Sequence, residues 1–288
     1  MPDSSEATVV EQAPAKLNLD LYVERRRADG YHDLDSIVVF TDLADTLAVE
    51  PAEGFVLHLA GPFADALEAA GESLVRRAAA GFAALLGRTP DVAITLTKRL
   101  PLAAGLGGGS ADAAATIRAL RRLWGAAPEP EQLAAFTRSL GADVPVCLVG
   151  RPTRMQGIGD RLAEAPFCPR LDLVLVNPRR AAPTGPVYAA LEPDDFAPPP
   201  EPRVVDGDWP RWLVEGRNAL ERAAIRVQPA IGEVSAALRA TDARVVRLCG
   251  SGATVFAAFD TAAAADLVAR HLATRHPGWW VQRTATRS

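Results

Sequence analysis

Cysteine is scarce in this 288-residue chain: Cys147, Cys168 and Cys249 are odd in number, far apart and without a CxxC pair. That excludes a disulfide framework and a zinc ribbon, and leaves reduced, mostly core thiols. Histidine is nearly as sparse, with four residues and no HExxH spacing, so no transition-metal constellation is legible. Long apolar runs are missing too, none reaching the roughly 18 residues that a membrane helix needs. The opening residues, MPDSSEATVVEQ, lack a basic start and an apolar stretch, so no signal peptide is expected and the chain reads as cytoplasmic. Positive charge is not in excess. A formal net charge of -4 argues against a nucleic-acid surface or an anionic membrane as the main partner. A small anionic ligand remains open, because it needs positive charge only locally. No internal repeat is found, and the abundance of alanine is compositional.

What is present suits a globular protein: 49% hydrophobic and 23% charged residues, in a chain long enough for one large domain or two ordinary ones. The most informative stretch runs from Thr95 to Gly125, TLTKRLPLAAGLGGGSADAAATIRALRRLWG. Leading into it, Asp91 to Lys98 alternates, with Val92, Ile94 and Leu96 on one face, which is the period of a half-buried strand. Pro101 ends that strand, and Gly105, Gly107, Gly108 and Gly109 then crowd into five residues, too many permissive positions for a regular element. A helix is expected from Ala111, with Ser110 as its N-cap, Ala113, Ile117, Leu120 and Trp124 along one face, and Gly125 at its stop. Strand, bare loop and helix in that order suit a phosphate. Glycines let main-chain N–H groups approach a ligand, and the first helical turn carries roughly half a positive charge. The bland alternative is a tight turn that packs helix on strand.

Spelling excludes three familiar phosphate loops. No Gly-Lys pair occurs anywhere, which removes a Walker loop. A dinucleotide fingerprint begun at Gly105 would need a glycine where Ser110 stands, and neither His-Arg-Asp nor Asp-Phe-Gly follows as in a protein kinase. The pattern Pro101, Gly105, Leu106, Gly107, Ser110 instead resembles the GHMP kinase loop. Within that superfamily, the GLGGG form followed by Ser-x-Asp-Ala-Ala is similar to the 4-diphosphocytidyl-2-C-methyl-D-erythritol kinases. One position departs: Ala111 stands where members usually have a second serine, so that hydroxyl's duty falls on Ser110 or on water.

The other motifs occur in the order this resemblance implies. Ala15 to Val23 alternates strictly, with Leu17, Leu19, Leu21 and Val23 on one face and Lys16, Asn18, Asp20 and Tyr22 on the other. By periodicity alone this is an edge strand with a solvated face; the family's Pro-Ala-Lys-Leu-Asn-Leu strand, matched from Pro14 to Leu19, lines the active site. Arg25 to His32, RRRADGYH, reads as a charged hairpin tip around Asp29-Gly30. In the family the corresponding Tyr and His, here Tyr31 and His32, bind the cytidine ring, and an aromatic face with an imidazole suits a base. Strands are expected at Leu34 to Phe40, Leu47 to Glu50 and Val56 to Leu59, then helices from Pro62 to Leu86 broken near Gly71, and a helix from Pro130 to Leu140. Asp143 reads as a turn residue before Pro145; the resemblance makes the aspartate of Gly-Ala-Asp-Val-Pro the catalytic acid or base.

Beyond residue 150, Leu171 to Val176 is a buried-strand candidate, and Pro183, Thr184 and Pro186 follow in a loop. The resemblance places a substrate-side Thr-Pro loop there, which makes Thr184 and Tyr188 substrate candidates, although Gly185 separates threonine from proline. FAPPPEPR, from Phe196 to Arg203, reads as a stiff exposed linker. A helix is expected to begin around Arg217, Asn218, Leu220 and Glu221, with Ala219 where the family has aspartate. Strands at Val245 to Leu248 and Thr254 to Phe259 flank Gly250, Ser251 and Gly252, which read as a hairpin turn and resemble the third GHMP motif, a glycine turn near the phosphate loop. A helix from Thr261 to His276 and a last strand at Trp279 to Arg283 complete a ferredoxin-like pattern.

The resemblance therefore implies an α+β, two-domain GHMP kinase fold: a ribosomal protein S5 domain 2-like N-terminal domain, 1–155, and a ferredoxin-like α/β sandwich, 156–288. It implies ATP and Mg²⁺, with Lys98 and Pro101, Leu102, Ala103, Ala104, Gly105, Leu106, Gly107, Gly108, Gly109, Ser110 and Ala111 at the nucleotide, and Ser110 at the metal. Lys98 reads equally as a solvated strand end. Lys16 and Asp143 are the implied catalytic pair, and Asn18, Tyr31, His32, Thr184 and Tyr188 the substrate contacts. The expected partner is a small cytidine diphosphate molecule phosphorylated on its 2-hydroxyl, with no nucleic acid and no membrane, for a monomer or weak homodimer. Two other readings compete: a GHMP kinase for homoserine or mevalonate, and a nucleotide-binding protein without catalysis.

Overall fold

A computed structural model of the chain describes residues 8–71, 73–201, 203 and 209–287. Eleven strands and ten helices follow among them: β1 Val9–Asn18, β2 Tyr22–Arg26, β3 His32–Pro51, β4 Phe55–Ala60, α1 Ala64–Ala70, α2 Leu74–Leu85, β5 Val92–Thr97, α3 Gly108–Trp124, α4 Pro130–Leu140, α5 Val144–Val149, β6 Thr153–Gly157, β7 Arg161–Glu164, β8 Asp172–Asn177, α6 Thr184–Ala189, α7 Arg211–Glu215, α8 Glu221–Val227, α9 Ala230–Arg239, β9 Val245–Leu248, β10 Val255–Phe259, α10 Ala262–Arg275 and β11 Trp280–Ala285. They fall into two compact units that do not follow chain order. The first takes the described residues up to Ala15, then Ala44–Leu102 and Gly107–Val149; the second takes Lys16–Leu43, Ala103–Leu106 and Gly150 onward. No helix among the described residues is long and apolar enough to cross a membrane.

In the first unit β5 is central. It lies antiparallel to the second half of β3, from Thr46 opposite Thr97 to Pro51 opposite Val92, and parallel to β4, from Phe55 beside Val92 to Ala60 beside Thr97. The expected alternation is realised: Val92, Ile94 and Leu96 are buried while Thr95 is exposed. Helix α2 turns Val75, Ala78, Ala79, Phe82 and Ala83 inward, the spacing of one helical face. Helix α3 departs from expectation at its start. It begins at Gly108, not Ala111, and its N-cap is Gly107 at a φ of 62°, not Ser110. Glycine adopts this left-handed φ without strain. Nor is its apolar surface a single stripe, since every residue from Ala111 to Ile117 is buried. Small side chains let neighbours pack on all sides. Gly125 ends it at a φ of 60°, as expected.

In the second unit the first half of β3 pairs antiparallel with β2 and with β6, and β6 with β7. A separate antiparallel sheet runs β11-β8-β10-β9, with Val255 opposite both Val176 and Leu248. Its core gathers Val174, Val176, Leu220, Ile231, Val234, Leu238, Leu248, Val255 and Phe259. These strands with α10, and with α9, which was not expected, give the ferredoxin-like α/β sandwich.

Several expectations need correction. Residues 1–7 lie outside the described residues, and the strand expected from Ala15 already begins at Val9. The strand expected over 15–23 stops at Asn18 and resumes at Tyr22, because the Asp20 carboxylate takes the Ile37 N–H at 2.8 Å. Its polar face is not solvated: Lys16, Asn18 and Asp20 are at most 4% exposed. The two strands expected at 34–40 and 47–50 are one, β3, each half finding its own partners. The loop at 183–186 is the start of α6, where proline is harmless because first-turn N–H groups have no helical partner. Pro202, in the proline-rich stretch, lies outside the described residues, but Arg203 is not exposed; its guanidinium is buried against Asp20 at 3.0 Å and Asp35 at 2.8 Å. Two buried carboxylates require such a cation. Strands β6 and β7 and helices α5, α7 and α9 had no expected counterpart.

Candidate active site

In the second unit the glycine loop is stitched to two other candidate segments. The Lys16 N–H donates to Leu106 O at 2.8 Å, and the Thr254 N–H to Ala104 O at 3.1 Å. Gly105, at a φ of 76°, lies flat on the turn that follows β9. A Cβ there would collide with the Cys249 carbonyl and stand 2.8 Å from Gly252 O, so only glycine fits. That turn is itself held by Asn218, whose Nδ2 donates to Leu248 O at 2.9 Å and Gly250 O at 2.7 Å while its Oδ1 accepts the Leu220 N–H. Thr184 joins the group, its hydroxyl 2.9 Å from that of Ser251. Lys16 and Asn18 complete it: Lys16 Nζ donates to Asn18 Oδ1 at 3.0 Å, with both side chains buried. The hydrogen bonds thus gather Lys16, Asn18, Gly105, Gly250, Ser251 and Thr184 in one place.

Of the two base-binding candidates, His32 lies among aromatic rings of the same unit and Tyr31 does not. The His32 ring lies 4.9 Å from that of Tyr188 and 6.2 Å from that of Phe196, centroid to centroid. Burial, and then the nearby Arg26, push the His32 pKa down, which keeps the imidazole neutral with one donor and one acceptor nitrogen. Tyr31 points away from protein, 62% exposed, its N–H bonded to Asp29 Oδ1. Phe196 was not picked out from sequence, where it opens a proline-rich run.

In the first unit, the first bond that closes α3 runs from the Ala111 N–H to Gly107 O, so the N–H groups of Gly108, Gly109 and Ser110 precede any intrahelical partner. Ala111, for its part, is buried with its N–H already bonded. Asp143 caps α5: its carbonyl accepts the Cys147 N–H, and Val144 N–H returns to Gly141 O. Ser110 adjoins this turn, its Oγ 4.0 Å from where a Cβ on Gly141 would be. Lys98 is not a solvated strand end. It is 2% exposed, with Nζ 2.5 Å from Asp45 Oδ2 and 2.6 Å from Asp112 Oδ2. It also backs Gly108, whose missing Cβ would lie 3.1 Å from Nζ. Asp45 further accepts the Leu100 N–H at 2.9 Å, fixing the exit from β5 just before Pro101. Burial, the largest influence, raises the Asp112 carboxyl to about 7 against the pull of Lys98. Neither carboxylate was legible as a partner of Lys98, since both contacts span distant sequence.

No cluster of three His, Cys, Asp or Glu side chains that could hold a metal occurs among the described residues. A hard cation carried on substrate phosphates needs few protein ligands, and a hydroxyl oxygen such as that of Ser110 is of the kind it accepts.

The chain matches the models of the GHMP kinases N terminal domain over residues 73–151 and of the GHMP kinases C terminal over 209–278. It is 50% identical to a 4-diphosphocytidyl-2-C-methyl-D-erythritol kinase of Ruegeria pomeroyi, covering 93% of this chain and 95% of that one. It is 47% identical to that of Paramagnetospirillum magneticum over 94% and 95%. Among solved structures, a 4-(cytidine 5'-diphospho)-2C-methyl-D-erythritol kinase superposes with a TM-score of 0.82 at 36% identity, over 97% of this chain and all of the other. A mevalonate kinase of L. major, bound to R-mevalonate, shares the fold at a TM-score of 0.77 but only 17% identity. Identity of this order along almost the whole length, on a fold whose glycine loop and glycine turn meet as described, makes the chain a member of the 4-diphosphocytidyl-2-C-methyl-D-erythritol kinase family of GHMP kinases.

Proposed function

We propose that this chain transfers the γ-phosphoryl group of ATP to the 2-hydroxyl of 4-diphosphocytidyl-2-C-methyl-D-erythritol, releasing ADP and the 2-phosphate, a step of the non-mevalonate route to isoprenoid precursors. The observation that carries the reading is the glycine loop bonded to both the Lys16 strand and the Cys249–Gly252 turn. Backbone N–H groups from Gly108 to Ser110 hold phosphate oxygens. Phosphoryl transfer asks a protein mainly for position and charge. Asp143 accepts or orients the proton of the attacking hydroxyl, and the Lys16 ammonium offsets charge on the transferring group. Ser110 would hold a Mg²⁺ brought in with the nucleotide, which would offset charge on the phosphate oxygens. His32, Tyr188 and Phe196 seat the cytosine, with Tyr31 covering it; Asn18 and Thr184 orient the sugar-alcohol end. The domain division at 155/156 belongs to the same reading.

ADP release measured with the cytidyl alcohol, homoserine and mevalonate in parallel tests it. Turnover is expected with the cytidyl alcohol alone, and the product should carry its new phosphate on the 2-oxygen. Turnover with homoserine or mevalonate instead, or with none of the three, overturns the assignment.

A further inference from the structure

We propose that Ser36, in β3, is a positioning residue that acts on Lys16 through Asn18. Lys16 and Asn18 are two apart on β1 and share a face of the strand. Lys16 Nζ donates to Asn18 Oδ1 at 3.0 Å, Asn18 Nδ2 donates to Ser36 Oγ at 2.7 Å, and Ser36 Oγ donates to the Asp20 carbonyl at 2.6 Å. All four residues are nine-tenths buried or more, Ser36 completely.

The direction of this chain follows from proton counting. A carbonyl oxygen only accepts, so the single hydroxyl proton of Ser36 is committed to Asp20. Towards Asn18 the hydroxyl can then only accept, which turns the NH₂ of the amide to Ser36 and its oxygen to the ammonium. The far end is anchored as well. The Asp20 carboxylate takes the Ile37 N–H at 2.8 Å and pairs with Arg203 at 3.0 Å, so the carbonyl that Ser36 uses cannot drift. Without the hydroxyl, the NH₂ of Asn18 has no acceptor on that side. The amide can then rotate and present donors to Lys16, where like faces like and the ammonium loses the acceptor that Asn18 Oδ1 gave it. Ser36 touches no reacting atom, and its importance rests on the catalytic role proposed for Lys16.

Two readouts separate this inference from the function itself. The side-chain amide protons of Asn18, followed by ¹⁵N NMR, should exchange with solvent about tenfold faster or more in Ser36→Ala, and near-normally in Ser36→Thr, which keeps the hydroxyl. This holds whatever the chain phosphorylates, and unchanged exchange in Ser36→Ala overturns the inference. In the ADP-release assay, Ser36→Ala should lower kcat about tenfold with KM little changed, Ser36→Thr should restore it, and Ser36→Ala should add no loss in an Asn18→Ala background. Independent, multiplicative losses in the double variant, or equal loss in the alanine and threonine variants, contradict action through Asn18. Should Ser36→Ala fail to fold, Ser36→Cys, a weak acceptor of similar shape, should reproduce the loss, and normal turnover in it contradicts the proposal.

Discussion

Gly105 shows how much one residue decides. Its φ of 76° already disfavours a side chain, and its Cα hydrogen faces the Cys249 and Gly252 carbonyls. Backbone, not a movable side chain, fills the space that a Cβ would need. Gly105→Ala is therefore expected to shift the loop off the turn, at about 1–3 kcal/mol of stability, and to weaken ATP binding at least about tenfold, as read by thermal melting and by titration. An alanine variant that melts and binds ATP as the unmodified chain does would show that this contact is slack. At this scale much was legible from the sequence. Lys16, Asn18, Thr184 and the Gly250–Gly252 turn were each picked out singly, and the hydrogen bonds place them together. Asn218 and Ser36 were not seen as site residues. Their roles depend on which distant carbonyl or amide each hydrogen-bonds, and no local pattern encodes that.

At the scale of elements, β5 and α3 are joined by the buried Lys98, Asp45 and Asp112. One cation faces two carboxylates, and Asp112 Oδ1 has no hydrogen-bond partner. The Asp112 carboxyl, raised by burial to about 7, binds a proton in the folded chain at a pH where the unfolded chain has lost it. Stability from this group is thus greatest below the ordinary aspartate value and declines as pH rises from about 4 towards 7. Asp112→Asn keeps an acceptor for Lys98 and removes the surplus charge, so its melting temperature should gain on that of the unmodified chain as pH rises from 5 to 8. A constant gap across that range would mean that Asp112 stays ionised throughout. The strand of this pair was readable because its alternation survives in the burial of Val92, Ile94 and Leu96. The start of the helix was not, because propensity argues against glycine in a helix, whereas here the Lys98 ammonium packs tightly against Gly108.

For the whole molecule, the order of motifs along the chain carried the family and the α+β fold, and it could not carry the grouping of segments. Residues 16–43 and 103–106 pack with the chain beyond Gly150, so the glycine loop divides between Leu106 and Gly107. Such grouping is a matter of long-range pairing, as in Lys16 with Leu106 and Ala104 with Thr254. The proposed phosphoryl transfer has Asp143 handling the proton of the attacking hydroxyl. Its most direct test is Asp143→Asn, with ATP affinity and ADP release measured on the same preparation. Nucleotide and alcohol should bind nearly as before while turnover falls about 100-fold or more; turnover within a few-fold of the unmodified chain would contradict it.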